Sequence, residues 1–355
     1  MARLRHLPMS AVEVGGGHHP DRRGGGAVIE EDTLPRPNGS EGGRRRLRLL
    51  AMLLTLGVLA WVISSNRDAL RSLAAVPVTT LLVLAILQVG VLAATSWRHL
   101  VALRASGPGT IGAWRWYRIF VLGRFFNLVA PQVGNVYRAV VLKRDVGVSY
   151  TSFAAALFLF LWASTVLNLF AGAAILAVSE TGLDLAGVPA SLFLLVAGFA
   201  LIALVPAALA VTSRLGGSRM KWFRSRLAAA LDIAHNAVRS PSFSLHFTLT
   251  WLVGLAISAV VYLVSFEAVG IGISLASAVA MYALVQISTI VVITPGNLGI
   301  QELGLAAIAA LFGHDFAGAA LAAVLFRTVG LTVLALQAVP FGAMHTIRRV
   351  PSGTP

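Results

Sequence analysis

Long apolar runs alternate with short polar segments along most of this chain. A helix needs about 20 mainly apolar residues to cross the hydrocarbon core of a bilayer. Six runs come close to that length or exceed it, so the pattern predicts an all-α protein with about six full transmembrane helices. The predicted spans are 47–65, 78–96, 149–179, 190–212, 243–270 and 316–343.

Two further apolar stretches are interrupted. The stretch 112–142 is broken at Pro131 and Gly134, and the stretch 276–313 is broken at Pro295. Proline removes a backbone donor and glycine permits turns that other residues resist, so each stretch is expected to be a helix-turn-helix. Some halves are too short to cross a membrane comfortably, which favours two re-entrant hairpins. Two full pairs of spans remain the alternative.

Lysine and arginine are distributed unequally between the segments that join the apolar runs. Four segments contain 4, 4, 6 and 2 basic residues, and the four that alternate with them contain 2, 0, 0 and 0. Because basic loops stay on the cytoplasmic side, both termini of this inner (plasma) membrane protein are expected in the cytoplasm. The basic segments are 40–48, 97–118, 212–241 and 345–350, and the others are 66–76, 180–190, 266–276 and 314–316.

The two interrupted stretches resemble each other in sequence. The first contains Asn127, Pro131, Gly134 and Arg138. The second contains Pro295, Gly296, Asn297, Gly299 and Glu302. In each, a charged residue follows the proline by seven positions. Since the two hairpins start from opposite faces, the half 78–179 is followed by an upside-down copy, 243–343. Inverted repeats with broken helices at mid-membrane are a transporter design.

Three charged residues within apolar segments are candidate site residues. We expect Arg138 and Glu302 to lie two turns into the second arm of each hairpin, where an unpaired charge is costly. They either pair with each other or bind a headgroup, Arg138 through phosphate and Glu302 through an amine or proton. Arg327, deep in the last span, either pairs with Glu302 or binds the phosphate. Arg124 is expected to snorkel to the cytoplasmic face.

Polar segments flank the predicted transmembrane domain, 44–345. Residues 1–43 are predicted to be a disordered cytoplasmic tail, and residues 346–355 a short cytoplasmic tail. The basic loop 214–239 is predicted to form an amphipathic helix that contacts anionic lipid headgroups at the cytoplasmic face. Simple topology signalling by the positive charge is the alternative for this loop.

Composition supports the membrane interpretation and excludes several function classes. Hydrophobic residues make up 57% of the chain and charged residues only 12%, which no soluble fold of this size accommodates. The net charge of +14 would suggest nucleic acid in a soluble protein, but here the basic residues lie between apolar runs, so we expect no nucleic-acid partner. The absence of cysteine excludes disulfides and thiol catalysis.

The broken stretches resemble the flippase-like integral membrane family that includes the transmembrane part of lysylphosphatidylglycerol synthase. The resemblance covers residues 45–345 and includes the pair Phe326-Arg327. It implies movement of a phospholipid or lipid-linked headgroup between leaflets, with no catalytic synthase domain. The chain departs from the family pattern at Asn297, where a second glycine is implied, and at Asn168, near which charged residues are implied.

The sequence therefore predicts a lipid flippase or transporter that is not an enzyme and has no cofactor. No HExxH motif, metal-ligand cluster or nucleotide-binding motif is present. The expected partner is a membrane phospholipid or polyprenyl-linked lipid. The alternative is a non-transporting scaffold that partners a separate lipid- or envelope-modifying enzyme.

Overall fold

The computed structural model describes residues 75–107, 111–178, 184–185, 188–214, 221–288 and 295–347. The helices are α1 Val78–Ala105, α2 Ala113–Val129, α3 Val133–Val146, α4 Tyr150–Val178, α5 Ala190–Arg214, α6 Lys221–Arg239, α7 Pro241–Ala268, α8 Leu275–Ser288, α9 Ile300–Leu311 and α10 Phe316–Ile347, with a 3₁₀ turn at Pro295–Asn297. Two-residue strands, β1 Asp184–Leu185 and β2 Val188–Pro189, pair antiparallel before α5.

The all-helical membrane class predicted from the sequence is confirmed, since helices form nearly all of the described chain. Four helices there are long and apolar enough to cross a membrane, namely Val78–Ala105, Tyr150–Val178, Pro241–Ala268 and Phe316–Ala343. Helix α5 has 25 residues and begins with the apolar segment Ala190–Leu204. The predicted span 47–65 and tail 1–43 lie outside the described residues.

Helix α1 ends later than the sequence pattern predicts. The prediction stopped it near residue 96, where Trp97 and Arg98 resemble a membrane boundary, but the helix continues to Ala105. Its last turns are buried, with Leu100 and Leu103 in the apolar core around α2. The helix therefore extends beyond the predicted apolar run, and packing against neighbouring helices stabilises its last turns.

A tight turn separates α2 from α3. The Val133 amide donates to the Ala130 carbonyl at 3.4 Å, and Gln132 between them has φ = 69°. Proline followed by a residue of positive φ is the pattern of a type II turn. A Cβ at Gly134 would lie 1.7 Å from the Gly123 carbonyl oxygen, so glycine is required where α2 and α3 cross.

The second break is longer and has several residues of positive φ. Gly296 has φ = 62°, Asn297 55° and Gly299 82°, so the backbone turns repeatedly before α9 begins at Ile300. Glu302 therefore lies in the first turn of α9. The expectation that it lies two turns into the arm was wrong, because the positive φ of Gly299 delays the start of the helix.

Two large apolar clusters form the core. One joins α1 to α7, α8, α9 and α10 around Phe266, Met281 and Leu305. The other joins α1, α2, α3, α4 and α10 around Phe120 and Leu142. Helices α1 and α10 contribute to both clusters, so the two hairpins are packed on shared helices.

Candidate functional site

A cavity of about 360 Å³, with both polar and apolar walls, lies between the described helices. Both hairpins and the long helices α1, α4, α7 and α10 contribute to its wall. Four arginines line it, namely Arg98, Arg124, Arg138 and Arg327. Charged side chains in membrane helices are rare because they are costly, so four around one cavity indicate a functional site.

Arg138 lies buried on α3 beside the crossing with α2. Its Nε donates to the Gly134 carbonyl at 3.2 Å, and its guanidinium carbon lies 5.2 Å from the centroid of the Phe120 ring. A Cβ at Gly123 would approach Arg138 Nε to 2.5 Å. The absence of a side chain at Gly123 therefore leaves the space that the Arg138 side chain occupies.

Arg124 lines the same cavity, with its guanidinium carbon 6.0 Å from the Phe120 centroid. The sequence predicted that this side chain snorkels to the cytoplasmic face. This side chain is exposed and borders the cavity, and the expectation that it snorkels stays a prediction. Phe120 thus has two guanidinium groups within 6.0 Å of its ring centroid.

Arg98 and His99 were not predicted as site residues. Arg98 is only 5% exposed, and its Nη2 donates to Thr95 Oγ1 at 3.3 Å. The His99 ring stacks on Phe160 with a centroid distance of 3.5 Å. A basic residue just after an apolar run is also the ordinary signal of a membrane boundary, so the sequence alone offered no sign that Arg98 is buried.

Arg327 is held at the second break. Its Nε lies 3.5 Å from Glu302 Oε1, its Nη1 donates to Gln301 Oε1 at 2.9 Å, and its Nη2 donates to the Gly296 carbonyl. Of the pairings considered for Glu302, the structure therefore has the one with Arg327. The second carboxylate oxygen, Glu302 Oε2, is buried and has no hydrogen-bond partner among the described residues.

The predicted site residues divide into two groups. Some line the cavity, namely Asn127, Pro131, Arg138, Gly296, Asn297 and Arg327. Others shape the breaks without lining it: Gly134 forms the helix crossing, Gly299 precedes α9, and Glu302 pairs with Arg327. Pro295 begins the 3₁₀ turn.

The two asparagines at the breaks have different surroundings. Asn127 Oδ1 accepts a hydrogen bond from the Gly134 amide at 2.7 Å, which satisfies a free donor at the start of α3. Asn297 is 5% exposed, and its Oδ1 has no hydrogen-bond partner in the described part of the chain. Asn127 therefore stabilises its own hairpin, whereas Asn297 offers a free acceptor at the cavity.

Uncharged polar side chains complete the wall. Asn168 on α4 accepts a hydrogen bond from Trp251 Nε1 at 3.1 Å, and Thr165 donates to the carbonyl of Leu161 at 2.8 Å. Ser258 and Tyr262 contribute from α7. No group of three or more metal-ligating side chains occurs among the described residues.

Long apolar helices around a charged internal cavity define a multi-pass α-helical membrane protein. Comparison with protein families matches residues 48–337 to the lysylphosphatidylglycerol synthase TM region. The chain belongs to this family, a membrane region associated with lipid-related functions. No curated protein and no solved structure matched the chain.

Proposed function

We propose that this protein moves a phospholipid or a lipid-linked headgroup between the leaflets of the plasma membrane, without bond-making chemistry of its own. The observation that carries the proposal is the cavity between the two hairpins, which is lined by four arginines, two from the first hairpin and one each from α1 and α10. Its volume of about 360 Å³ is within the range of roughly 300–1,000 Å³ typical of small-ligand sites. A headgroup fits a space of this size while its acyl chains stay in the bilayer.

The proposal includes about six full spans and two re-entrant hairpins, with both termini in the cytoplasm. Helices α3 and α9 have 14 and 12 residues, which at about 1.5 Å per residue gives lengths well short of the roughly 30 Å hydrocarbon core. These arms therefore suit an entry to mid-membrane. The irregular backbone at the breaks would then face the polar cavity, as membrane-embedded irregular backbone requires.

The proposal also includes an inverted repeat, in which α1–α4 correspond to α7–α10. The order of elements supports it, since each half has a long helix, a broken hairpin and a second long helix. The residue after the proline has a similar φ in both breaks, 69° at Gln132 and 62° at Gly296. Packing is reciprocal as well, since α8 packs on α4 while α2 packs on α10.

In the proposed mechanism the lipid phosphate is bound by Arg138 or Arg327 at the cavity wall. Guanidinium groups bind phosphate through paired, charge-assisted hydrogen bonds. The second break acts as a hinge or gate, because its backbone at Gly296, Asn297 and Gly299 already occupies conformations outside the helical region. Exchange of conformations between the two halves would open the cavity to one leaflet and then to the other.

The test is lipid exchange in vesicles that contain the purified protein and fluorescent phospholipids, read as signal accessible to dithionite. Wild type would be compared with Glu302→Gln and Arg138→Ala, each checked for folding by size-exclusion chromatography. Arg115→Gln on α2 is the matched control, because this exposed arginine pairs with Asp145 outside the cavity. We expect wild type and the control to accelerate exchange, and Glu302→Gln and Arg138→Ala to lose it.

Exchange no faster than in empty vesicles, for anionic, zwitterionic and polyprenyl-phosphate lipids alike, would contradict the proposal. A non-transporting scaffold would then be the favoured function. It predicts that folded Arg138→Ala and Glu302→Gln proteins still support the activity of the partner enzyme.

A further inference from the structure

Positive charge in the cavity exceeds negative charge. Of the four lining arginines, Arg327 is paired with Glu302. The other three, Arg98, Arg124 and Arg138, take part in none of the ion pairs found among the described residues. Arg98 and Arg138 are buried, whereas Arg124 is exposed. Buried charges without a counter-charge are costly, so this side of the cavity favours a ligand that brings negative charge.

Arg98 provides a second indication of a ligand. Its side chain is at least nine-tenths buried, and it lines the cavity. Its Nη2 bonds to Thr95, but its Nε is buried and has no hydrogen-bond partner within the described chain. A buried guanidinium donor normally has a hydrogen-bond acceptor, because burying the donor without one costs free energy.

Aromatic rings hold these guanidinium groups in place without neutralising them. The guanidinium carbons of Arg124 and Arg138 lie 6.0 and 5.2 Å from the Phe120 centroid, and that of Arg98 lies 5.8 Å from the Phe160 centroid. Cation–π contacts fix the position of a cation and leave its net charge intact. The three arginines thus keep their positive charge for a ligand.

Building on the proposed function, we propose that Arg98, Arg124 and Arg138 form a subsite for a lipid headgroup that ends in a dianionic phosphate, either a phosphomonoester or a diphosphate. A phosphomonoester carries a charge of about −1.5 to −2 at neutral pH, which matches three cations better than the single charge of a phosphodiester. An aminoacylated headgroup, which adds positive charge, matches them worst.

The binding test uses the purified full-length protein in neutral detergent, titrated with dioctanoyl lipids by calorimetry. The ligands are phosphatidic acid, phosphatidylglycerol and phosphatidylcholine, with farnesyl monophosphate as the prenyl source of the same terminal phosphate. We expect both monophosphates to bind about tenfold more tightly than the two phosphodiesters. Equal affinity for phosphatidic acid and phosphatidylcholine would overturn the subsite. The ratio of the two monophosphates distinguishes a glycerolipid from a prenyl source.

Variants assign the binding to these arginines. Arg98→Gln and Arg124→Gln keep a polar side chain but remove the charge, and each is expected to weaken phosphatidic acid binding about tenfold or more. The selectivity over phosphatidylcholine should fall by the same factor. Arg115→Gln removes the same charge from the exterior of α2 and should leave the affinity unchanged. Wild-type affinity in both cavity variants would overturn the subsite.

Vesicle exchange separates this inference from the proposed function. If phosphatidic acid binds selectively but no lipid is exchanged in vesicles, the transport function fails and the subsite remains. If lipids are exchanged at rates independent of headgroup charge, the transport function remains and the subsite is overturned.

Discussion

The two broken hairpins have similar sequence motifs but are stabilised in different ways. The first is held by its own residues: Gly123 and Gly134 allow the helices to touch, and Asn127 bonds to the Gly134 amide. The second break is held from another helix, because Arg327 on α10 bonds to the Gly296 carbonyl and pairs with Glu302.

This difference indicates where each hairpin can change shape. A hairpin closed by its own backbone contacts keeps its form when the surrounding helices move. A break that is held by a side chain from α10 changes its conformation when that side chain binds another group, for example a phosphate. The first hairpin therefore suits a rigid binding wall, and the second suits a gate.

The largest effect is expected from Gly134→Ala, which tests whether the helix crossing locks the first hairpin. The added Cβ would lie 1.7 Å from the Gly123 carbonyl oxygen, a backbone atom that moves only if α2 and α3 separate. We expect a loss well above the roughly 1–3 kcal/mol of ordinary overpacking, seen as little or no folded protein in thermal size-exclusion assays. Gly304→Ala on α9 is the control, since nothing lies within 4 Å of its added Cβ. Similar melting temperatures for the two variants would contradict the prediction that the helix crossing locks the first hairpin.

The second hairpin is tested by Arg327→Gln. This change leaves Glu302, which is 4% exposed at its side chain, without its cation. Breaking a buried pair in this way costs about 3–5 kcal/mol, so the melting temperature should fall clearly. Adding Glu302→Gln should recover most of the loss, because the buried charge is then gone. If the double variant is no more stable than the single one, the ion pair is not what holds the break.

The smallest expected effect distinguishes the two asparagines. Asn127→Ala removes the acceptor of the Gly134 amide and should cost about 1–3 kcal/mol. Asn297→Gly places glycine at φ = 55° and removes an oxygen that has no hydrogen-bond partner in the described region, so stability should stay equal or rise slightly. Denaturation of both variants under one condition checks this order, and the reverse order would contradict the assignment of Asn127 as the stabilising residue.

The sequence predicted the helical class and the positions of both breaks, since prolines and glycines within apolar runs act locally. It did not predict the shape of the second break, because the consecutive positive φ values at Gly296 and Asn297 depend on Arg327, which is 30 or more positions away. It also missed Arg98, since this residue packs against Phe160 on another helix, α4, which is remote in sequence. Helices that are apolar on all sides offer little periodicity from which such burial could be predicted.

The contact between Gly123 and Gly134 also determines how movement passes through the protein. The two backbones meet there without intervening side chains, so a tilt of α3 displaces α2 by nearly the same amount. The hairpin therefore moves as one rigid unit. Its displacement would reach α10, on which α2 packs, and Arg327 is part of α10. A headgroup bound at the first hairpin is thereby coupled mechanically to the residue that holds the second.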